Sequence, residues 1–180
     1  MLNPFDLYFY QNIPYANLFL LKMITLIADP KIHLFFWGLI SLYYFFRRGL
    51  PALSTKPVYF FALTNLIMLC CGLIKIIFGR ARPFLLDENI VGFTFFTVNN
   101  DFLSFPSSHT AIAAGLAYTL RNQFRPGRLI YFYPVMIMGT RLLLRAHFAT
   151  DVLAGFATGL LLSQLLEKIV AISSIKFQSE

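Results

Sequence analysis

The chain has 180 residues, is 58% hydrophobic and only 13% charged, and carries a formal charge of +7. Soluble domains average about 25% charged residues, so this composition, with its long apolar runs, excludes an ordinary soluble protein and predicts one integral-membrane domain over residues 1–180. The positive charges flank apolar segments, which fits orientation and lipid headgroups and gives no reason to expect a nucleic-acid partner.

In chain order, Met1 to Tyr15 is aromatic and holds Pro4 and Pro14. It is expected to form an interfacial helix or turn. No basic region or small-residue cleavage site precedes the first apolar run, so a cleaved signal peptide is not expected. The first span is expected over Tyr15–Ala28, closed by Asp29-Pro30 and interrupted by Lys22, whose flexible stem fits snorkelling. The second covers Ile32–Phe46, between Lys31 and Arg47-Arg48. The third, Val58–Phe78, is the clearest. A long connection from Gly79 to Ser107 carries Asp87, Glu88 and Asp101, read as solvated charges, and its middle, Ile90–Val98, is expected along the membrane surface. The fourth span covers Ser108–Leu120, and Arg121, Arg125 and Arg128 mark a Pro-Gly turn. The fifth is Leu129–Leu144 and the sixth Phe148–Ala171. The expected fold is all-α: a polytopic membrane bundle of about six transmembrane helices with a short N-terminal interfacial segment. Ala111/Gly115 and Gly155/Gly159 have the spacing that lets membrane helices approach closely. Cys70 and Cys71 read as small packing residues.

Alternating topology puts Arg47, Arg48, Lys56, Arg121, Arg125, Arg128 and Lys176 on one side, together with the N-terminus. The positive-inside rule makes that side cytoplasmic. The opposite side receives three charged clusters. Lys75 and Arg80-Ala81-Arg82-Pro83 end the third span. Pro106-Ser107-Ser108-His109 opens the fourth. Arg141 through His147 to Asp151 joins the fifth and sixth. His147 and Asp151 are four apart and would share a helix face, giving a histidine with a carboxylate behind it, suited to act as base or nucleophile. Lys75, Arg82 and Arg141 are cations of the kind that hold phosphoryl oxygens. Ser107 and Ser108 sit where a helix starts and can offer backbone N–H groups to an anion. His109 supplies a second proton-transfer group. A metal site is disfavoured, because three cations would repel the ion. Asp151 could also cap the sixth span. Arg80 and Arg145 fall outside these positions and are expected to be solvated interfacial charges, with Arg145 alternatively a supporting or headgroup contact.

On these motifs the sequence resembles the type-2 phosphatidic acid phosphatase superfamily, membrane lipid phosphatases related to vanadium haloperoxidases. That family's pattern is K-x6-R-P, then P-S-G-H, then S-R-x5-H-x3-D. Lys75, Arg82 and Pro83 match the first; Pro106, Ser107 and His109 the second, with Ser108 in place of glycine; Arg141, His147 and Asp151 the third, with Thr140 in place of serine. The resemblance implies a membrane phosphatase needing no cofactor or metal. His147 would be the nucleophile, Asp151 its orienting partner and His109 the acid. Lys75, Arg82, Ser107, Ser108 and Arg141 would bind the phosphate. The expected partners are the bilayer and a lipid phosphate or diphosphate, such as undecaprenyl diphosphate, phosphatidylglycerol phosphate, phosphatidic acid or lipid A, with no obligate protein partner. A lipid-to-lipid phosphotransferase and a non-catalytic lipid-binding protein are the alternatives. The implied location is a bacterial inner membrane, with the site on the periplasmic face and both termini cytoplasmic.

Overall fold

The computed structural model describes residues 3–16, 19–48, 56–86, 102–123 and 126–176. Among these, seven α-helices form: α1 (Pro4–Asn12), α2 (Phe19–Leu26), α3 (Pro30–Arg48), α4 (Lys56–Phe78), α5 (Ser108–Leu120), α6 (Phe132–Leu143) and α7 (Ala149–Lys176). Short 3-10 turns lie at Pro83–Leu86, Arg121–Gln123 and Gly127–Tyr131. The all-α expectation is met. The expected surface segment Ile90–Val98, with Asp87, Glu88, Asp101 and Arg125, lies outside the described residues.

Three stretches are long and apolar enough to cross a bilayer: Phe19–Arg47, Lys56–Leu86 and Ala149–Ile172. Their outward faces carry Phe35, Phe46, Ile76, Ile77 and Leu161, all exposed. In water such a surface would be an aggregation liability; in a bilayer it is the solvated face. The chain is therefore an integral membrane protein.

The centre of the bundle is α5, whose residues Thr110 to Ala117 are all buried. They are small for a reason. α5 and α7 run parallel and in step, and a Cβ on Gly155 would stand 2.4 Å from the Ser107 carbonyl oxygen. One on Gly159 would stand 2.1 Å from the Ala111 oxygen, and one on Gly115 2.9 Å from Ser163 Oγ. Both small-residue pairs seen in the sequence thus face each other across one seam. α4 closes the other side of α5, where Phe60, Leu63, Ile67 and Cys71 meet Ala111, Ile112 and Leu116. Trp37 of α3 stacks on Phe60 with ring centroids 4.7 Å apart.

The N-terminal expectation changes. The predicted first span is only the eight-residue α2, about 12 Å long and too short to cross. Its flanks are tied to the bundle: Ala16 N donates to Leu143 O at 2.9 Å, and Tyr133 Oη donates to Ile27 O at 3.2 Å. Asp29-Pro30 then stops α2 and starts α3, because Pro30 sits where no N–H is needed and Asp29 Oδ1 accepts from Lys31 N at 2.8 Å. The helix α1 packs against the start of α7, near His147 and Asp151, so the N-terminal helix lies at the same end of the bundle as the three motifs. The apolar run of α2 suggested a crossing; its length and ties define a short packed insertion instead.

Gly159→Ala should cost at least ~2 kcal/mol by forcing α5 and α7 apart. Gly139→Ala, where a new Cβ meets nothing within 4 Å, should be neutral or stabilising. Thermal melting in detergent separates the two.

Candidate active site

The three motifs converge at one end of the bundle because three local devices turn the chain there. α4 ends at Gly79, whose φ of +50° is the left-handed conformation glycine supplies at helix ends. The segment behind it is then pinned, since Ser104 N donates to Arg80 O at 2.9 Å and Phe84 N to Arg145 O at 3.1 Å. α6 ends in a Schellman turn: Arg145 N donates to Leu142 O at 3.0 Å and Ala146 N to Arg141 O at 3.1 Å. Arg145 takes the left-handed position at φ +52°, usually held by glycine. Its side chain offsets that strain by donating to the Tyr10 carbonyl and, at 2.8 Å, to Ile13 O, while its guanidinium covers the Tyr10 ring at 4.1 Å. Arg145 therefore fastens α1; it is not a solvated charge.

His147 follows this turn and precedes α7, so it and Asp151 do not share a helix face as expected. They meet across the start of α7 instead. Asp151 Oδ2 accepts from Phe148 N at 2.8 Å, a capping contact reaching back one turn. It also accepts from Ser104 Oγ at 2.5 Å. His147 Nδ1 is 3.6 Å from Asp151 Oδ2 and 3.5 Å from Ser104 Oγ. Asp151 both caps the helix and backs the histidine. Its other oxygen accepts from Arg80 Nη1 at 2.6 Å.

Arg80 is the residue that motif reasoning set aside. Its second arm reaches Asp6 Oδ2 at 2.5 Å, so one guanidinium spans two fully buried carboxylates. Asp6, from α1, also accepts from Thr150 N at 2.8 Å and Thr150 Oγ1 at 2.6 Å. Burial alone would raise the Asp6 pKa, but the Arg80 and Thr150 hydrogen bonds outweigh it and hold the carboxyl below its ordinary range. Asp6 and Ser104 were also missed; both belong to long-range contacts that a single sequence does not reveal.

On the opposite face of the ring, His147 Nε2 lies 3.4 Å from Arg82 Nη1. Arg82 Nη1 also donates to Ala146 O at 2.9 Å. Burial first, then the Arg82, Arg141 and Lys75 cations, push the His147 pKa well below the usual histidine value. The imidazole is therefore neutral at pH 7, with a lone pair available. It opens onto a cavity of about 190 Å³ lined also by Lys75, Arg82, Ser108, His109 and Asp29. Lys75 Nζ donates to Leu103 O and Pro106 O, both at 2.7 Å, and so fastens the loop before α5 as well as charging the wall.

Ser107 does not reach the cavity wall. It is fully buried, its N–H donates to Asp151 O at 3.0 Å, and its hydroxyl accepts from Thr110 Oγ1 at 3.1 Å. Ser108, the residue in place of glycine, is on the wall. Arg141 is not among the residues that line the cavity, and its buried Nε has no hydrogen-bond partner among the described residues. Thr140 spends its hydroxyl on Ile137 O at 2.7 Å.

A family model described as the PAP2 superfamily matches residues 56–173. The chain belongs to the PAP2 superfamily. Two lipid A 1-phosphatases are similar within it. That of Rhizobium johnstonii is 30% identical over 112 residues, covering 61% of this chain and 46% of that protein. That of Rhizobium etli is 33% identical over 93 residues, covering 51% and 40%. The chain thus spans less than half the length of these curated relatives. The crystal structure of a transmembrane PAP2-type phosphatidylglycerolphosphate phosphatase from Bacillus subtilis superposes with a TM-score of 0.66 at 22% identity, covering 91% of this chain and 83% of that one. That of Aquifex aeolicus LpxE gives 0.63 at 21%, covering 90% and 94%. At these identities both establish a shared PAP2 fold.

Arg80→Ala leaves two buried carboxylates facing each other and should cost about 3 kcal/mol or more. Arg80→Lys should recover only part, since one ammonium cannot span both. Melting in detergent reads both. In histidine-labelled protein the His147 ring signals, assigned by His147→Ala, should stay those of a neutral ring as pH falls through 6.5. Stability held by the neutral ring is full above ~6.5 and falls below it, where only the unfolded histidine gains a proton.

Proposed function

We propose that this protein is an integral-membrane phosphatase that removes a phosphate from a lipid headgroup through a phosphohistidine at His147 Nε2. One observation carries this reading: a neutral, buried imidazole has a carboxylate behind Nδ1 and a guanidinium beside Nε2, and opens onto a cavity walled by Lys75 and a second histidine. A base backed by a carboxylate is a nucleophile in a fixed tautomer. Cations around it select a phosphoryl group and stabilise its developing charge.

In the proposed reaction, Arg82, the Ser108 hydroxyl and the N–H groups of the first turn of α5 bind the non-bridging oxygens. Ser107 holds that turn in place. Lys75 contributes charge more than a new hydrogen bond, because its donors already serve loop carbonyls. Arg141, off the cavity wall, adds positive charge to the site. His147 attacks phosphorus, His109 protonates the departing lipid oxygen, and His109 then activates water to release phosphate. The cations supply the electrostatic stabilisation a metal would otherwise give, so the mechanism calls for no metal or cofactor.

The substrate class is a lipid phosphate. The lipid A 1-phosphatase relatives favour a glycolipid 1-phosphate, with phosphatidylglycerol phosphate, phosphatidic acid and undecaprenyl diphosphate next. The proposed setting is a bacterial inner membrane with five crossings, α3 to α7. Arg47, Lys56, Arg121 and Arg128 mark the cytoplasmic end, and the site, with α1 and α2 beside it, faces the periplasm. One unit over residues 1–180 fits this layout, since α1 takes part in the site's support.

Incubation with a 32P-labelled lipid phosphate, quenched in base, should trap an acid-labile, base-stable label on the wild type. His147→Ala should trap none and lose at least ~1,000-fold in turnover. Retained turnover in that variant would sink the proposal.

A further inference from the structure

The turn between α2 and α3 holds a carboxylate that the family motifs do not contain. Asp29 Oδ1 accepts from Lys31 N at 2.8 Å and Ile32 N at 3.3 Å, which caps α3. That occupies one oxygen. The other, Oδ2, lies 3.4 Å from His109 Nε2, with the two side chains 23% and 21% exposed. Among the described residues, Asp29 is the only carboxylate lining the cavity.

Its surroundings give that position meaning. The charged groups facing His109 from other elements are Arg82 after α4 and Arg141 at the end of α6. Lys75 and Lys31 share the cavity wall. All are cations, and each opposes a positive charge on the His109 ring. A leaving-group acid must carry that charge before it gives up its proton. Among the described residues, Asp29 is the one carboxylate on that wall to favour it.

We propose that Asp29 is the positioning residue for His109: it holds Nε2–H, so that Nδ1 is the nitrogen that exchanges the proton, and it offsets the surrounding cations. This rests on His109 being the leaving-group acid. In the first step a bond forms between His147 Nε2 and phosphorus as the bond from phosphorus to the lipid oxygen breaks. The electron pair goes to that oxygen, and the proton on His109 Nδ1 goes with it. In the second step water attacks phosphorus, its proton returns to His109 Nδ1, and the P–N electron pair returns to His147. Asp29 is unchanged throughout. Each histidine then has its own carboxylate, Asp151 from α7 for His147 and Asp29 from the N-terminal region for His109.

The test compares a long-chain alkyl phosphate with a long-chain nitrophenyl phosphate, whose leaving group departs without a proton. Asp29→Asn and Asp29→Ser both keep an oxygen to cap α3 while removing the charge. The expected result is that the ratio of alkyl to aryl kcat/KM falls ~10-fold or more in both variants, and ~100-fold or more in His109→Ala. If His109→Ala lowers the ratio and the Asp29 variants do not, the Asp29 inference is overturned and the role of His109 stands. If His109→Ala leaves the ratio unchanged, the reading of His109 fails and the inference with it. If the Asp29 variants slow both substrates equally, Asp29 is a helix cap alone and the inference is overturned.

Discussion

The arrangement depends on one buried carboxylate. Asp151 is fully shielded from solvent, and a charge so placed is tolerated only if its lone pairs are satisfied. They are, by groups from different parts of the chain: Phe148 N at the start of α7, Ser104 before α5 and Arg80 after α4. Satisfying Asp151 therefore draws three segments into one place. His147 sits against the same carboxylate because it lies between the Schellman turn of α6 and the cap of α7. The contacts that solve a solvation problem also set the ring's orientation.

The same logic extends outward. Arg80, needed by Asp151, has a second arm that requires an anion, and Asp6 supplies it. Asp6 also accepts from Thr150 N in the first turn of α7, where a negative group meets the positive end of a helix. The short N-terminal helix α1 is in this way built into the support of the site. Below, the parallel seam of α5 and α7 lets Ser107 donate to Asp151 O, because Gly155 leaves room for the Ser107 backbone. The glycine spacing and the motif spacing describe the same contact.

Much of this was legible in the sequence. Long apolar runs gave the all-helical membrane class, and the strict spacing of Lys75 to Pro83, Pro106 to His109 and Arg141 to Asp151 gave the family. The misses have a common cause. Arg80, Arg145, Asp6, Asp29 and Ser104 act through partners distant in the chain, and a single sequence carries no record of such pairs. Arg80 and Arg145 looked like interfacial charges because their neighbours are apolar. Nothing local shows that each spans carbonyls or carboxylates from α1 or α7. The α2 segment misled for a different reason. Its residues are as apolar as a crossing and its stop at Asp29-Pro30 was legible, but hydropathy does not see that the helix covers only Phe19–Leu26.

In the proposed site, cations from three segments surround one phosphate, and neutral His147 attacks it through Nε2. A structure of the protein with bound vanadate tests it most directly, because vanadate takes up the five-coordinate geometry of the attack. The expected structure has vanadium bonded to His147 Nε2, its equatorial oxygens on Arg82 and the first turn of α5, and its outer apical oxygen toward His109. Vanadate bound elsewhere in the cavity, or bonded to His109 in place of His147, would contradict it.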